Sequence, residues 1–170
     1  MKSERQFLNQ ICSLVESTVS TNSIPIDSYV STENMLPNKQ GITVASKLPS
    51  TKMVKHYNSQ DVLVSNIRPY FKKIWFADRD GGCSNDVLVF RAAGCNLPRY
   101  LYYLLSQDIF FTYASATSKG TKMPRGDKES IMTFSFPKLP FHHQKSSSLF
   151  LRTIDDRITT LRSINHHLAA

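Results

Sequence analysis

Asp61-Val62-Leu63-Val64-Ser65-Asn66-Ile67-Arg68-Pro69-Tyr70-Phe71-Lys72-Lys73-Ile74-Trp75-Phe76-Ala77 is the stretch on which the fold turns. Residues 61–67 form a compact run rich in β-branched and apolar residues, and residues 74–77 form a second. Arg68-Pro69 ends the first run, because proline has no N–H to give to a β-ladder. The two runs predict strands joined by a short connection, and a short connection makes them antiparallel neighbours. Asp78-Arg79-Asp80-Gly81-Gly82 has the composition of a turn. Asp86-Val87-Leu88-Val89-Phe90-Arg91 predicts a third strand.

Beyond this block the period changes. Pro98 opens a predicted helix, a position where its missing N–H costs no helical bond. Tyr100-Leu101, Leu104-Leu105, Ile109 and Phe111 then share one broad face through about Ala114, predicted to pack on the sheet. Residues 114–126 are polar and basic with Gly120, Pro124 and Gly126, which predicts an exposed loop. Residues 131–136 partly alternate and predict a last strand, closed by Pro137 and Pro140. Towards the N-terminus, Phe7-Leu8, Ile11, Leu14-Val15 and Val19 show a short helical period. Residues 20–28 look like a loop leading into an extended segment at Tyr29-Val30, and residues 34–41 look like a turn.

The last segment differs in kind. Residues 141–168 contain no glycine or proline. Leu151, Ile154, Ile158, Leu161, Asn165 and Leu168 fall alternately on heptad positions a and d, a seam with one Asn in it. A polar residue at an a position fixes register at some cost in stability. The expected architecture is α+β: a globular domain, 1–139, with a mainly antiparallel twisted sheet and a packed helix, then a coiled-coil-type dimerisation or spacer helix, 140–170.

Charge narrows the partners. The chain carries +8 overall. Between Lys39 and Lys73 seven basic residues face the single acid Asp61, and between Lys119 and Lys128 four face Asp127. Basic segments with Tyr57, Tyr70 and Phe71 among them suit a polyanion such as nucleic acid; a solvated basic surface is the plainer alternative. With 41% hydrophobic residues there is enough apolar surface for a core. No run reaches the length needed to span a bilayer and no signal-peptide core is visible, so a cytoplasmic location is expected.

Catalytic and metal chemistry find little footing. Cys12, Cys83 and Cys95 are odd in number and match no zinc spacing, which leaves buried free thiols. His142-His143 and His166-His167 are adjacent pairs, not the i, i+4 chelate of a helical metal site. There is no phosphate-cradling or dinucleotide glycine loop and no nucleophile elbow. Asn66-Ile67-Arg68-Pro69-Tyr70 superficially approaches an adenine-methyltransferase motif but lacks its first proline and any glycine-rich cofactor loop. Asp78, Asp80 and Asp86 read as a solvated turn. No catalytic residue, metal or cofactor is expected.

Several stretches resemble one family in order along nearly the whole chain. They are residues 29–37 (YVSTENMLP), 61–75 (DVLVSNIRPYFKKIW), 82–90 (GCSNDVLVF), 119–127 (KGTKMPRGD) and 136–140 (FPKLP), followed by a helix with Gln144 and Asp155-Asp156-Arg157-Ile158. Together they resemble the target-recognition domains of type I restriction–modification specificity subunits. The family usually has an acidic residue before the helix glutamine, where this chain has His143. A full subunit has two such domains and two long helices; this chain resembles half of one, whether a functional half-subunit, a fragment or a truncated gene product.

The resemblance implies a non-catalytic protein that reads one half of a bipartite site in double-stranded DNA. It also implies modification (methyltransferase) subunits and a restriction subunit as partners. Phosphate contacts position such a protein and base contacts specify the sequence. Lys52, Lys55, Lys72, Lys73, Lys119 and Lys122 are the phosphate candidates, and Arg125 and Arg68 the guanine candidates; Arg68, before Pro69, also has a purely structural reading. Homodimerisation through Leu151, Ile154, Ile158, Leu161, Asn165 and Leu168 would give an interrupted palindrome as the target. The alternative is a free-standing dimeric nucleic-acid-binding regulator.

Overall fold

The computed structural model describes residues 4–168, with side chains described through residue 165. Val62–Ser65 (β6) is the central strand, and its neighbours explain why the sequence there is continuously apolar. It pairs antiparallel with Ile74–Phe76 (β7) on one side and Val87–Ala92 (β9) on the other, and Cys12–Leu14 (β2) completes the sheet in the order β2-β9-β6-β7. Side chains alternate between the two faces of a strand. Val62 and Val64 of β6, with Leu88 and Phe90 of β9, enter a core under the helices. Leu63, Val87 and Val89 enter a second core on the opposite face. A sheet covered on both sides loses the polar alternation of a half-exposed one.

The first core is closed by Pro98–Leu105 (α1) and Asp108–Ala116 (α2), which bring Leu101, Leu105, Phe110 and Phe111 onto the sheet. The sequence predicted one helix here, and the structure has two. Ser106 ends the first by donating its hydroxyl to the Tyr102 carbonyl at 2.7 Å, and Gln107 is extended. The break re-aims the second helix, so Phe110 turns inward while Ile109, expected on the buried face, is 63% exposed.

The second core rests on a sheet that the sequence did not reveal. Thr18–Ser20 (β3), Met53–Tyr57 (β5), Gly81–Cys83 (β8) and Tyr29–Val30 (β4) lie in the order β3-β5-β8-β4, with β4 and β8 parallel. Gly81-Gly82 is therefore strand rather than turn. A Cβ on Gly81 would run into the Ser28 carbonyl oxygen and lie 2.5 Å from Tyr57 Oη. The tight approach lets Tyr57 donate to that carbonyl at 2.9 Å.

Two further expectations are corrected. The helical period before residue 20 is an extended chain with one 3-10 turn at Leu8–Gln10. Arg5–Phe7 (β1) pairs with the distant Ser135–Pro137 (β10), β2 with β9, and β3 with β5. Ladder bonds to remote strands outweigh a local period three turns long. Residues 131–136 are not all strand: Lys128–Met132 form α3, capped by Asp127, whose carboxylate accepts from the Ser130 N–H at 3.1 Å and its hydroxyl at 2.7 Å.

Phe141–Leu168 (α4) is one helix. Its first half lies on the body of the protein. Gln144 and Ser148 are buried, and Asp155 accepts the Tyr103 hydroxyl at 2.7 Å. No described helix is long and apolar enough to cross a membrane.

Candidate nucleic-acid interface

Three loops are clasped together at the β6–β7 end of the first sheet. Between β6 and β7 the chain makes a 3-10 turn, Pro69–Phe71, flanked by Arg68 and Lys72, both left-handed with φ of 49° and 53°. The turn at residues 37–41 lies beside it, with Asn38 and Lys39 also left-handed at φ 54° and 62°. Their N–H groups donate to the carbonyls of Phe71 and Lys72, each at 2.9 Å. The third loop, 119–126, closes on itself through reciprocal backbone bonds between Lys119 and Arg125. Arg68 N–H then donates to Pro124 O at 2.8 Å, and Gly126 N–H to Asn66 O at 3.0 Å.

Left-handed backbone costs a residue with a Cβ about 1–2 kcal/mol. Four of the five such non-glycine residues described lie in these two facing turns. Proline at 69 adds to the cost at Arg68, because it disfavours compact conformations of the residue before it. Strain kept in one place by neighbouring hydrogen bonds is characteristic of functional loops.

The expected DNA-facing residues divide once their side chains are located. Lys72 and Lys39 both reach Asp108, at 3.1 and 2.6 Å. Hydrogen bonds from Lys39 first, then Lys72, hold the Asp108 carboxyl below its ordinary range. Lys119 bonds Asp127 at 2.7 Å, and Arg125 pairs with Asp86 at 3.0 Å. Lys73 donates to the Thr32 carbonyl at 2.6 Å, and partial burial pushes its ammonium pKa down. Lys122 is exposed on the loop, and Lys52 is exposed next to β5 in the other sheet.

Lys55 is a correction. It is only 4% exposed and its ammonium donates to the Val87 carbonyl at 2.8 Å. It ties β5 to the neighbouring sheet and does not present charge to a duplex. Sequence runs of like charge cannot distinguish it from Lys52, because both sit on the same short strand region.

Glu33, Asp86, Asp108 and Asp127 enter the site from four separate segments, and only Asp127 lies within one of the basic runs of the sequence. Apolar side chains also stand out here: Tyr70, Phe71 and Met123 are 53%, 40% and 48% exposed. Arg68 Nε and Asn66 Oδ1 are buried without a hydrogen-bond partner among the described residues. A buried N–H or carbonyl left unpaired costs about 1–3 kcal/mol.

On α4, Leu151, Ile154, Ile158 and Leu161 are exposed, and so is Asn165. The side chain of Leu168 lies outside the described residues. Phe150 and Ile164, which the heptad assignment did not single out, widen the same apolar stripe at 67% and 48% exposed. Cys12 and Cys83 are buried and Cys95 is exposed. Among the described residues, no group of three His, Cys, Asp or Glu side chains could hold a metal ion.

No family model matches the sequence, and neither does any curated protein. Solved structures do resemble it. A chain from a study of complex assembly and conformational transition in the type I R-M system superposes with TM-score 0.72 at 23% identity, over 96% of this chain and 45% of that one. The HsdS subunit from Thermoanaerobacter tengcongensis gives 0.69 at 23% identity, over 95% of this chain and 44% of that one. The type I restriction–modification S subunit from M. genitalium gives 0.65 at 13% identity, over 96% and 41%. The chain thus spans less than half the length of each of these three proteins, and within that span it has the fold of a type I S subunit.

Proposed function

We propose that this chain is a DNA target-recognition domain of a type I restriction–modification specificity subunit, without a catalytic centre or cofactor of its own. The observation that carries the reading is the likeness to S subunits over 96% of the chain. The clasped basic loops add to it, because they offer cations, exposed aromatics and strained backbone at one edge of a rigid sheet. In this reading residues 1–139 read one half of a bipartite site. Lys72, Lys73, Lys119, Lys122 and Lys52 supply phosphate contacts, and Arg68 and Arg125 contact bases.

Residues 140–170 then serve as the dimerisation and spacer element. Leu151, Ile154, Ile158, Leu161, Asn165 and Leu168 form the seam to a second copy, and the chain works in the cytoplasm with modification and restriction subunits. Two identical readers related by a two-fold axis make the target an interrupted palindrome.

The test is coexpression with the cognate modification subunit in a methylation-free host, followed by genome-wide mapping of methylated adenine. The expected result is an interrupted palindromic motif that disappears without this chain. Soluble chain that copurifies with the modification subunit yet yields no new methylation would overturn the reading.

A further inference from the structure

One cleft in the clasped loops mixes donors with acceptors. It has a volume of about 520 Å³ and is lined by Thr32, Glu33, Arg68, Lys73, Asp86 and Met123 among others. Two of its charged groups are occupied within the protein: Lys73 by the Thr32 carbonyl, and Asp86 by Arg125. The other two, Arg68 and Glu33, form no ion pair among the described residues. Arg68 also carries the unpartnered Nε, and its backbone is pinned in the left-handed region by the bond to Pro124.

A phosphate site collects cations, whereas the carboxylates of Glu33 and Asp86 would repel a phosphate here. A cation beside an acceptor matches the major-groove edge of a G·C pair instead. Guanine presents O6 and N7 as acceptors, and cytosine presents its N4 amino group as a donor. An arginine whose guanidinium the protein leaves incompletely bonded gains partners only when such acceptors arrive.

We propose that this cleft reads one G·C base pair, Arg68 donating to guanine and Glu33 accepting from the cytosine amino group. The inference rests on the DNA-reading function proposed above. It gives Arg68 a partner distinct from that of Arg125, whose guanidinium is paired with Asp86 in the free protein.

The experiment is selection of bound duplexes from a randomised pool by the purified full chain, with Arg68→Gly and Glu33→Gln in parallel. Glycine accepts φ of 49° without a Cβ penalty, so Arg68→Gly removes the side chain and relieves the backbone. The expected result is loss of discrimination at a single G·C position, roughly 5- to 150-fold, with the other positions unchanged. Glu33→Gln weakens the preference at that same position. Two results overturn the proposal while leaving the DNA-reading function intact. One is an unchanged preference at every position in Arg68→Gly. The other is a uniform loss across all sequences with a shallower salt dependence, the mark of a phosphate contact. If the wild-type chain enriches no sequence, the reading function itself fails, and the proposal fails with it.

Discussion

Asp108 restrains two of the cations on the proposed DNA face, so removing its charge should strengthen non-specific DNA binding. Lys39 and Lys72 both bond it, at 2.6 and 3.1 Å, from the two left-handed turns. In Asp108→Asn the lysines lose their common anion and repel each other outward. Each phosphate neutralised steepens the dependence of log K on log salt by about 0.9. If both lysines reach phosphates, the slope steepens by about 1.8, so affinity gains about 12-fold more than wild type over a fourfold dilution of salt. If one does, the extra gain is about 3.5-fold. Fluorescence anisotropy of a labelled random-sequence duplex, titrated from about 200 to about 50 mM salt, reads the slope directly. Hydrogen bonds from Lys39 and then Lys72 hold the Asp108 carboxyl below its ordinary range, so the mutation removes a charge that is present at neutral pH. A slope equal to or shallower than that of wild type would refute the reasoning and place Lys39 and Lys72 away from the duplex.

Other consequences follow from the packing and the titrating groups. Gly81→Ala pushes a methyl group into the Ser28 carbonyl and the Tyr57 hydroxyl. Overpacking of about 1–3 kcal/mol with a lost buried hydrogen bond of similar size gives roughly 2–5 kcal/mol of destabilisation, or ~5–15 °C in Tm. A variant within about 0.5 kcal/mol of wild type in urea unfolding would show that β8 is not tightly apposed to Ser28. Asp127 has its pKa lowered to about 2, chiefly by the Lys119 hydrogen bond and then by Ser130. Its folded pKa lies below its unfolded value, so its contribution is present at neutral pH and is lost as pH falls from about 4 through about 2. Thermal melts of Asp127→Ala and wild type should differ at pH 7 and converge near the bottom of that window; a constant difference contradicts the capping role. Burial pushes the Cys12 and Cys83 thiols up to about 12, while Cys95 is exposed. A thiol reagent at neutral pH should therefore label Cys95 fast in the folded chain and the other two only after denaturation.

The strands at 62–65, 74–76 and 87–92 were legible because both faces of their sheet are buried, which leaves unbroken apolar runs. Helix α4 was legible because 28 residues without glycine or proline keep one period. The second sheet was not. Its strands are two to five residues long, and one of them is Gly-Gly-Cys. A strand of that length has no period to read, and its identity comes from partners as distant as Gly82 is from His56. The same holds before residue 20, where Leu8, Ile11 and Cys12 reach one core from a 3-10 turn, the residue after it and a strand. Spacings of three and four arise there from a kinked extended chain.

The candidate site divides along the same line. Its basic residues lie in two sequence runs, and the runs were visible. The acidic set beside them was not visible as a group: it arrives one residue at a time from the 31–34 turn, the β8–β9 connection, the start of α2 and the cap of α3. A surface of unpaired lysines would bind any duplex tightly, because counterion release rewards every cation that meets a phosphate. Here Lys39, Lys72, Lys119 and Arg125 already hold carboxylates. On the proposed function, DNA would have to displace those anions to engage the cations, which would weaken non-specific binding at each of these positions. The base contact proposed for Arg68 would meet no such competition, because its guanidinium has no acid partner among the described residues. In that reading, weak phosphate binding beside a free arginine would raise the ratio of specific to non-specific affinity, the quantity that decides where a sequence reader sits in a genome full of competing sites.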